Sequence, residues 1–195
     1  MLDSKINISW LCNARIGILD KESIRLMKEA GCHLIKFGVE SGVQEILDRS
    51  KKGIRVSETR EIFLWANEIG IDTHAHVMFG MPGESKKTIN ETIKFIDEIM
   101  PTTVSYGICT PYPGSLLFEE VKLQHPEIQD GSAVDLSTLH TKCFFNECFT
   151  FLSQRQLEES VRYAYRNFYM KPSYILSSVK RIRNIDDLKR YFFAG

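Results

Sequence analysis

Three short stretches put chemistry-bearing residues where apolar runs end: Asn13-Ala14-Arg15, Glu40-Ser41-Gly42 and Gly80-Met81-Pro82-Gly83-Glu84. Between them they offer a guanidinium, a carboxylate and backbone left open by glycine. That set suits a zwitterionic ligand with hydroxyls. An amino-acid head needs a carboxylate for its ammonium and a cation for its own carboxylate. Arg15 or Lys52 is expected to meet the ligand carboxylate, and Glu40 the ammonium or a ribose hydroxyl. Glu40 needs such a partner, or water, because a carboxylate buried alone is expensive. A plainer reading competes with this one, in which Glu40 only caps the helix that follows Ser41-Gly42.

The elements that must position these residues read as alternating strands and helices. A strand is expected over residues 6–12, with 13–15 as the loop after it. Asp20 is expected to cap a helix that carries Ile24, Met27 and Ala30 on one face and ends at Gly31. The apolar run from Cys32 follows, with Glu40 at its C-terminal tip, the end where β/α folds place ligands. A short helix over 43–49 is broken by Lys51-Lys52-Gly53. Ser57 is expected to cap the next helix, in which Ile62, Trp65, Ala66 and Ile69 share a face up to Gly70. A strand over 72–79 runs into Gly80. Ser85 then opens a helix striped with Ile89, Ile93, Ile96 and Met100, which Pro101 stops. A fourth strand over 103–110 ends in the rigid Pro111-Tyr112-Pro113-Gly114 turn.

The triplets Glu29-Ala30-Gly31 and Glu68-Ile69-Gly70 each precede a strand that reaches Phe-Gly, a faint repeat of the kind successive β/α units leave. The expected fold class is therefore α/β, a partial (β/α) TIM-type barrel of parallel strands, with residues 1–124 as the barrel portion. Residues 125–195 form a C-terminal loop and helical extension. In that tail the aromatic run over 142–151 is a strand candidate, and Ser153 with Gln156 reads as a capping box. The helix it opens carries Leu157, Val161, Ala164, Tyr165 and Phe168, and further helices are expected over 175–182 and 187–193. Four parallel strands leave two edges, and both need cover.

Bulk properties narrow the function classes. The 195 residues hold 25 Lys plus Arg and 25 Asp plus Glu, so the whole-chain charge argues against nucleic acid as the partner. The tail is locally basic, through Arg162, Arg166, Lys171, Lys180, Arg181, Arg183, Lys189 and Arg190, and a solvated helical face is the plainer account of it. No apolar run approaches the roughly 20 residues of a membrane helix. The five cysteines are odd in number and scattered, which fits free thiols in a reducing cytoplasm.

As an ordered set, Gly38-Val39-Glu40-Ser41-Gly42, Lys52-Gly53, Phe79-Gly80-Met81-Pro82-Gly83-Glu84 and Thr110-Pro111-Tyr112-Pro113-Gly114 resemble the second half of a radical S-adenosylmethionine (SAM) enzyme. The resemblance spans residues 6–120. Phe168-Tyr169-Met170-Lys171-Pro172 extends it toward members with an upstream cobalamin-binding domain, including methyltransferases and the anaerobic tetrapyrrole cyclase. It implies SAM as cofactor and a 4Fe–4S cluster in the parent protein, with cobalamin as a further candidate in an upstream domain. By position it implies that Glu40 touches the amino or ribose part of SAM and that Lys52 lies on the methionine carboxylate, with Arg15 as a basic residue after the preceding strand. Met78 would pack the adenine, and His76 would face the ribose or substrate. Gly80 and Pro111 would belong to the same cradle. The plainer readings are a core methionine for Met78 and hydrogen-bonded strand histidines for His76 and His74.

One departure stands against this match. The family holds its cluster with a Cys-x3-Cys-x2-Cys loop, and no such spacing occurs here: Cys143 and Cys148 are too far apart, while Cys12, Cys32 and Cys109 are isolated. No residue of the chain is therefore expected to ligate metal, and its first strand corresponds to the family's third. The expectation is the C-terminal part of a radical SAM enzyme of methyl transfer or oxidoreduction, truncated and inactive in the redox step by itself. The missing half of the barrel, or self-association, would cover the sheet edges; the small-molecule substrate stays open. The alternative is a non-catalytic half-barrel that binds a nucleotide-like ligand or a partner.

Overall fold

The computed structural model of the chain describes residues 8–132 and 145–181. The order is β1 (Trp10–Ala14), α1 (Lys21–Glu29), β2 (Cys32–Glu40), α2 (Gln44–Arg49), α3 (Val56–Ile69), β3 (Asp72–Phe79), α4 (Lys86–Ile99), β4 (Thr103–Ile108), α5 (Leu116–Gln124), α6 (Gln154–Tyr169) and α7 (Pro172–Arg181). The strands form one sheet in the order β1-β2-β3-β4, every neighbouring pair parallel. Parallel neighbours need a crossover between them, and the intervening helices supply it. All four strand tips accordingly lie at one end of the sheet.

The two faces of the sheet differ. On one, Ile35, Phe37, Val39, Ala75, Val77, Phe79, Val104 and Tyr106 are buried under the helices. The other carries Lys36, Gly38, Glu40, His74, His76, Met78, Ser105 and Gly107, all partly or fully exposed. Alternation of this kind is unusual for parallel strands, which are ordinarily buried on both sides. It is what the inner wall of a partial barrel requires.

Several boundaries differ from the sequence expectation. β1 runs on through Asn13 and Ala14 instead of ending at Cys12. The cap of α3 is Arg55, not Ser57: its backbone N–H donates to Glu58 Oε2 at 2.9 Å. Met100 is not part of the α4 stripe; it caps the helix in a left-handed conformation and is 66% exposed. β4 stops at Ile108, two residues short of Thr110. Helix α5 lies beyond the rigid turn, where no helix was expected.

The 145–151 part of the expected aromatic strand is instead a 3-10 turn, Asn146–Cys148, and an irregular return. Its backbone bonds run to other parts of the chain: Gly83 N–H donates to Phe149 C=O at 2.7 Å, and Phe151 N–H to Glu84 C=O at 2.9 Å. The remainder of that run, with Cys143, and the helix expected over 187–193 lie outside the described residues.

The Ser153–Gln156 capping box is present, and α6 buries Leu157, Ala164 and Phe168 in the same cluster as the sheet. The edge of β4 is covered by this helix. Tyr169 Oη accepts from Val104 N–H at 3.0 Å and donates to Val104 C=O at 2.7 Å, and Tyr165 Oη accepts from Tyr106 N–H at 3.1 Å. Two hydroxyls thus stand in for a neighbouring strand on alternate residues, which blunts an edge otherwise open to pairing.

Candidate functional site

Glu40 closes β2 at a break in the pairing, where the register against β3 shifts between Gly38 and Glu40. Its φ is 62°, in the left-handed region a non-glycine residue seldom occupies. Ser41 N–H donates back to Val39 C=O at 2.8 Å, so Glu40 is the middle residue of a three-residue turn. The neighbours hold it there. Buried Ser41 Oγ lies 3.1 Å from Thr92 Oγ1, which also accepts from Gly42 N–H at 3.1 Å. A Cβ on Gly42 would lie 2.5 Å from Phe95 Cβ, so only glycine lets the turn seat against α4.

The turn presents the Glu40 carboxylate to Lys52, whose Nζ donates to Oε1 at 2.6 Å. Arg15 Nη2 donates to the Lys52 carbonyl at 2.9 Å and so braces the loop from β1. The pair folds back over Gly38, where a Cβ would come within 2.8 Å of Glu40 Oε1 and 3.4 Å of Lys52 Nζ. Beside it is a cavity of about 400 Å³ whose lining includes Glu40, Lys52, Met78, Met81, Cys109 and Glu120.

Three of the expected site residues, Glu40, Lys52 and Met78, are therefore brought together. Arg15 reaches the loop rather than the cavity. Gly80 is buried and its N–H is already used, donating to Glu84 Oε2 at 2.5 Å. Pro111 is buried and does not line the cavity. His76 sits lower on the open face, with Nδ1 2.9 Å from Ser105 Oγ.

Two residues that the sequence reading gave no role shape the loop after β3. Glu84 is fully buried, with Oε2 accepting from Gly80 and Met81 and Oε1 unpartnered. Burial pushes its carboxyl up to about 7, against the pull of those two amides. Asn146 Nδ2 donates to Cys109 C=O at 2.7 Å and to Gly80 C=O at 3.3 Å, tying the tips of β3 and β4 together. Its place at the end of the Gly80-Met81-Pro82-Gly83-Glu84 stretch hinted at Glu84. Nothing local marked Asn146, which acts across 66 residues of chain.

A family model for the radical SAM superfamily matches residues 2–96. That segment carries Arg15, Glu40, Lys52, Met78 and Gly80, and the match bears out the resemblance to the radical SAM superfamily. It is 26% identical over 178 residues to an uncharacterized methyltransferase of Pyrococcus horikoshii, covering 89% of this chain and 37% of that one. It is 30% identical over 166 residues to the anaerobic magnesium-protoporphyrin IX monomethyl ester cyclase of Cereibacter sphaeroides, covering 84% of this chain and 26% of that protein. The fold resembles the radical SAM methyltransferase TsrM of Kitasatospora setae, whose structure holds cobalamin and a 4Fe–4S cluster: TM-score 0.53 at 22% identity, over 58% of this chain and 23% of that one. The chain thus spans well under half the length of these radical SAM relatives.

The match to the radical SAM superfamily implies SAM and a 4Fe–4S cluster, and the two fit the described residues differently. The charged pair over Gly38 and the adjoining cavity suit an adenosyl amino acid. For a cluster the fit fails: the described cysteines, Cys12, Cys32, Cys109 and Cys148, are free, and among the described residues no three His, Cys, Asp or Glu side chains gather to hold a metal. Burial pushes the Cys32 and Cys109 thiols up to about 11, so neither is a thiolate at neutral pH. No helix among the described residues is long and apolar enough to cross a membrane.

Proposed function

We propose that this chain supplies the SAM-binding and substrate-facing part of a radical SAM enzyme of methyl transfer or oxidoreduction. The observation that carries the reading is the Glu40–Lys52 pair at 2.6 Å over a glycine floor, on the rim of a cavity that also holds Met78. Opposite charges already set side by side match a ligand head bearing both an ammonium and a carboxylate. Glu40 takes the ammonium or a ribose hydroxyl, Lys52 takes the carboxylate, and Met78 packs against the adenine. Arg15 fixes the Lys52 backbone. The strained turn at Glu40 is consistent with a residue held for binding rather than for stability.

Bound SAM supplies the radical chemistry, and the protein binds, orients and shields it. Among the described residues there is no ligand set for the 4Fe–4S cluster that radical SAM chemistry uses. Calorimetric titration of SAM into the chain tests the cradle. Binding is expected, with Glu40→Gln and Lys52→Gln each weakening it by about tenfold or more, the worth of one charge-assisted contact. Unchanged affinity in both variants overturns the reading. After iron–sulfur reconstitution the isolated chain is expected to cleave SAM no faster than background.

A further inference from the structure

Below the cradle, the open face of the sheet carries a polar cluster that SAM binding does not use. Register places Asn13, Lys36, His74 and Thr103 in one row across the four strands, and Gly38, His76 and Ser105 in the next. His74 Nδ1 lies 2.7 Å from Thr103 Oγ1 and His74 Nε2 3.1 Å from Ser105 Oγ, which is in turn 2.9 Å from His76 Nδ1. The two imidazoles meet edge-on, centroids 4.4 Å apart.

Ser105 has one proton to give and two lone pairs to offer, so it can donate to only one of the two imidazoles. When it donates to His76 Nδ1, His74 Nε2–H donates to Ser105 and Thr103 to His74 Nδ1, which leaves His76 Nε2 as an N–H donor. When it does not, His76 Nδ1–H donates to Ser105 and Nε2 is an acceptor. Nε2 has no partner among the described residues, and His76 is exposed on the open face.

The charges nearby select between these directions when a ligand arrives. Lys36 has no ion-pair or hydrogen-bond partner among the described residues, although it is half-buried and stands in register beside His74. Glu40 is already held by Lys52. Asp72, at the start of β3 on the same face, accepts from Thr102 Oγ1 and makes no ion pair. β1 and β4 add no charge: their residues on this face are Leu11, Asn13, Thr103, Ser105 and Gly107. An unneutralised ammonium beside an imidazole that can become a donor is a receptor for negative charge.

We propose that Lys36 and His76, the latter oriented through Ser105, form a subsite for an anionic group of the substrate, a carboxylate or a phosphate. The proposal deepens the cradle reading, on which its description as a substrate subsite rests. Burial, then Lys36, holds the His76 imidazole below its usual range, which keeps it neutral and able to take either direction.

The test is NMR of the full chain with isotope-labelled histidine, titrated separately with sodium acetate and with inorganic phosphate. Sodium chloride at matched ionic strength and neutral acetamide serve as controls. The expected result is a saturable shift of His76 by acetate, by phosphate or by both, with the Nε2–H tautomer selected. Acetate alone marks a carboxylate subsite and phosphate alone a phosphate one. Lys36→Gln is expected to weaken the anion by about fivefold or more and Lys36→Arg to restore it. SAM affinity, measured on the same variants, is expected to stay within about twofold, since Lys36 lies outside the cradle. A shift produced equally by chloride or acetamide, no saturable shift at all, or undiminished anion binding in Lys36→Gln overturns the subsite. Anion binding without SAM binding would leave the subsite standing and remove the cradle.

Discussion

The Lys52 ammonium stands 2.6 Å from the carboxylate of Glu40, a residue whose backbone occupies left-handed space at φ 62°. Strain and charge thus fall on one residue at the tip of β2. Left-handed backbone costs a non-glycine residue on the order of 1 kcal/mol, and a partly exposed ion pair returns about as much. The side chain therefore adds little to folding, and its value lies in what it presents. Glu40→Gly is expected to change unfolding free energy by less than about 1 kcal/mol, because relief of strain offsets the lost pair. The same variant is expected to lose SAM binding by calorimetry. A large stability loss with SAM affinity intact would contradict this division.

Gly42 has the opposite logic. With a Cβ placed 2.5 Å from Phe95 Cβ, Gly42→Ala has to push α4 away from the β2 tip. A loss of about 1–3 kcal/mol is expected in urea unfolding, the usual cost of overpacking. The Ser41–Thr92 contact at 3.1 Å would loosen with it, and SAM affinity is expected to fall in step.

The tyrosine cover of β4 can be removed one hydroxyl at a time. Tyr169→Phe leaves the Val104 N–H without its acceptor inside a buried setting, at an expected cost of about 1–3 kcal/mol. Tyr165 is 36% exposed, so water can replace its hydroxyl and Tyr165→Phe is expected to cost less. Amide hydrogen exchange at Val104 and at Tyr106 reads the two losses separately. Equal protection in both variants and the parent would contradict the assignment.

Buried Glu84 and half-buried His74 give stability opposite pH slopes. Glu84 is raised from 4.5 to about 7, first by burial, so its protonated form is favoured in the fold. Its contribution is fully present below pH 4.5 and is lost as pH rises to 7. His74 is lowered from 6.5 to about 4 by burial, then by His76 and Lys36, so the fold favours the neutral ring. Its contribution is present above pH 6.5 and is lost as pH falls toward 4. Between 4.5 and 6.5 the two oppose one another. Glu84→Gln is therefore expected to show stability rising with pH more steeply than the parent across that window, measured by thermal melts at each pH. An unchanged slope would contradict the buried setting of Glu84.

The sequence by itself determined the β/α alternation, the parallel sheet it implies and the strand tips where Glu40, Lys52 and Met78 meet. These follow from local rules: glycines that end helices, apolar runs of strand length, and caps such as Asp20, Ser85 and Ser153, each of which holds its helix as expected. Only the tertiary structure decided what those tips do to one another. The left-handed turn at Glu40 depends on Thr92 and Phe95 from α4. The use of Gly80 depends on buried Glu84 and on Asn146, and the sheet edge depends on hydroxyls from a helix some 60 residues downstream. Periodicity reports which face of an element is apolar. It carries no term for a hydrogen bond whose partner is remote in the chain, nor for a steric limit set by another element's side chain, and those two kinds of contact shaped the site.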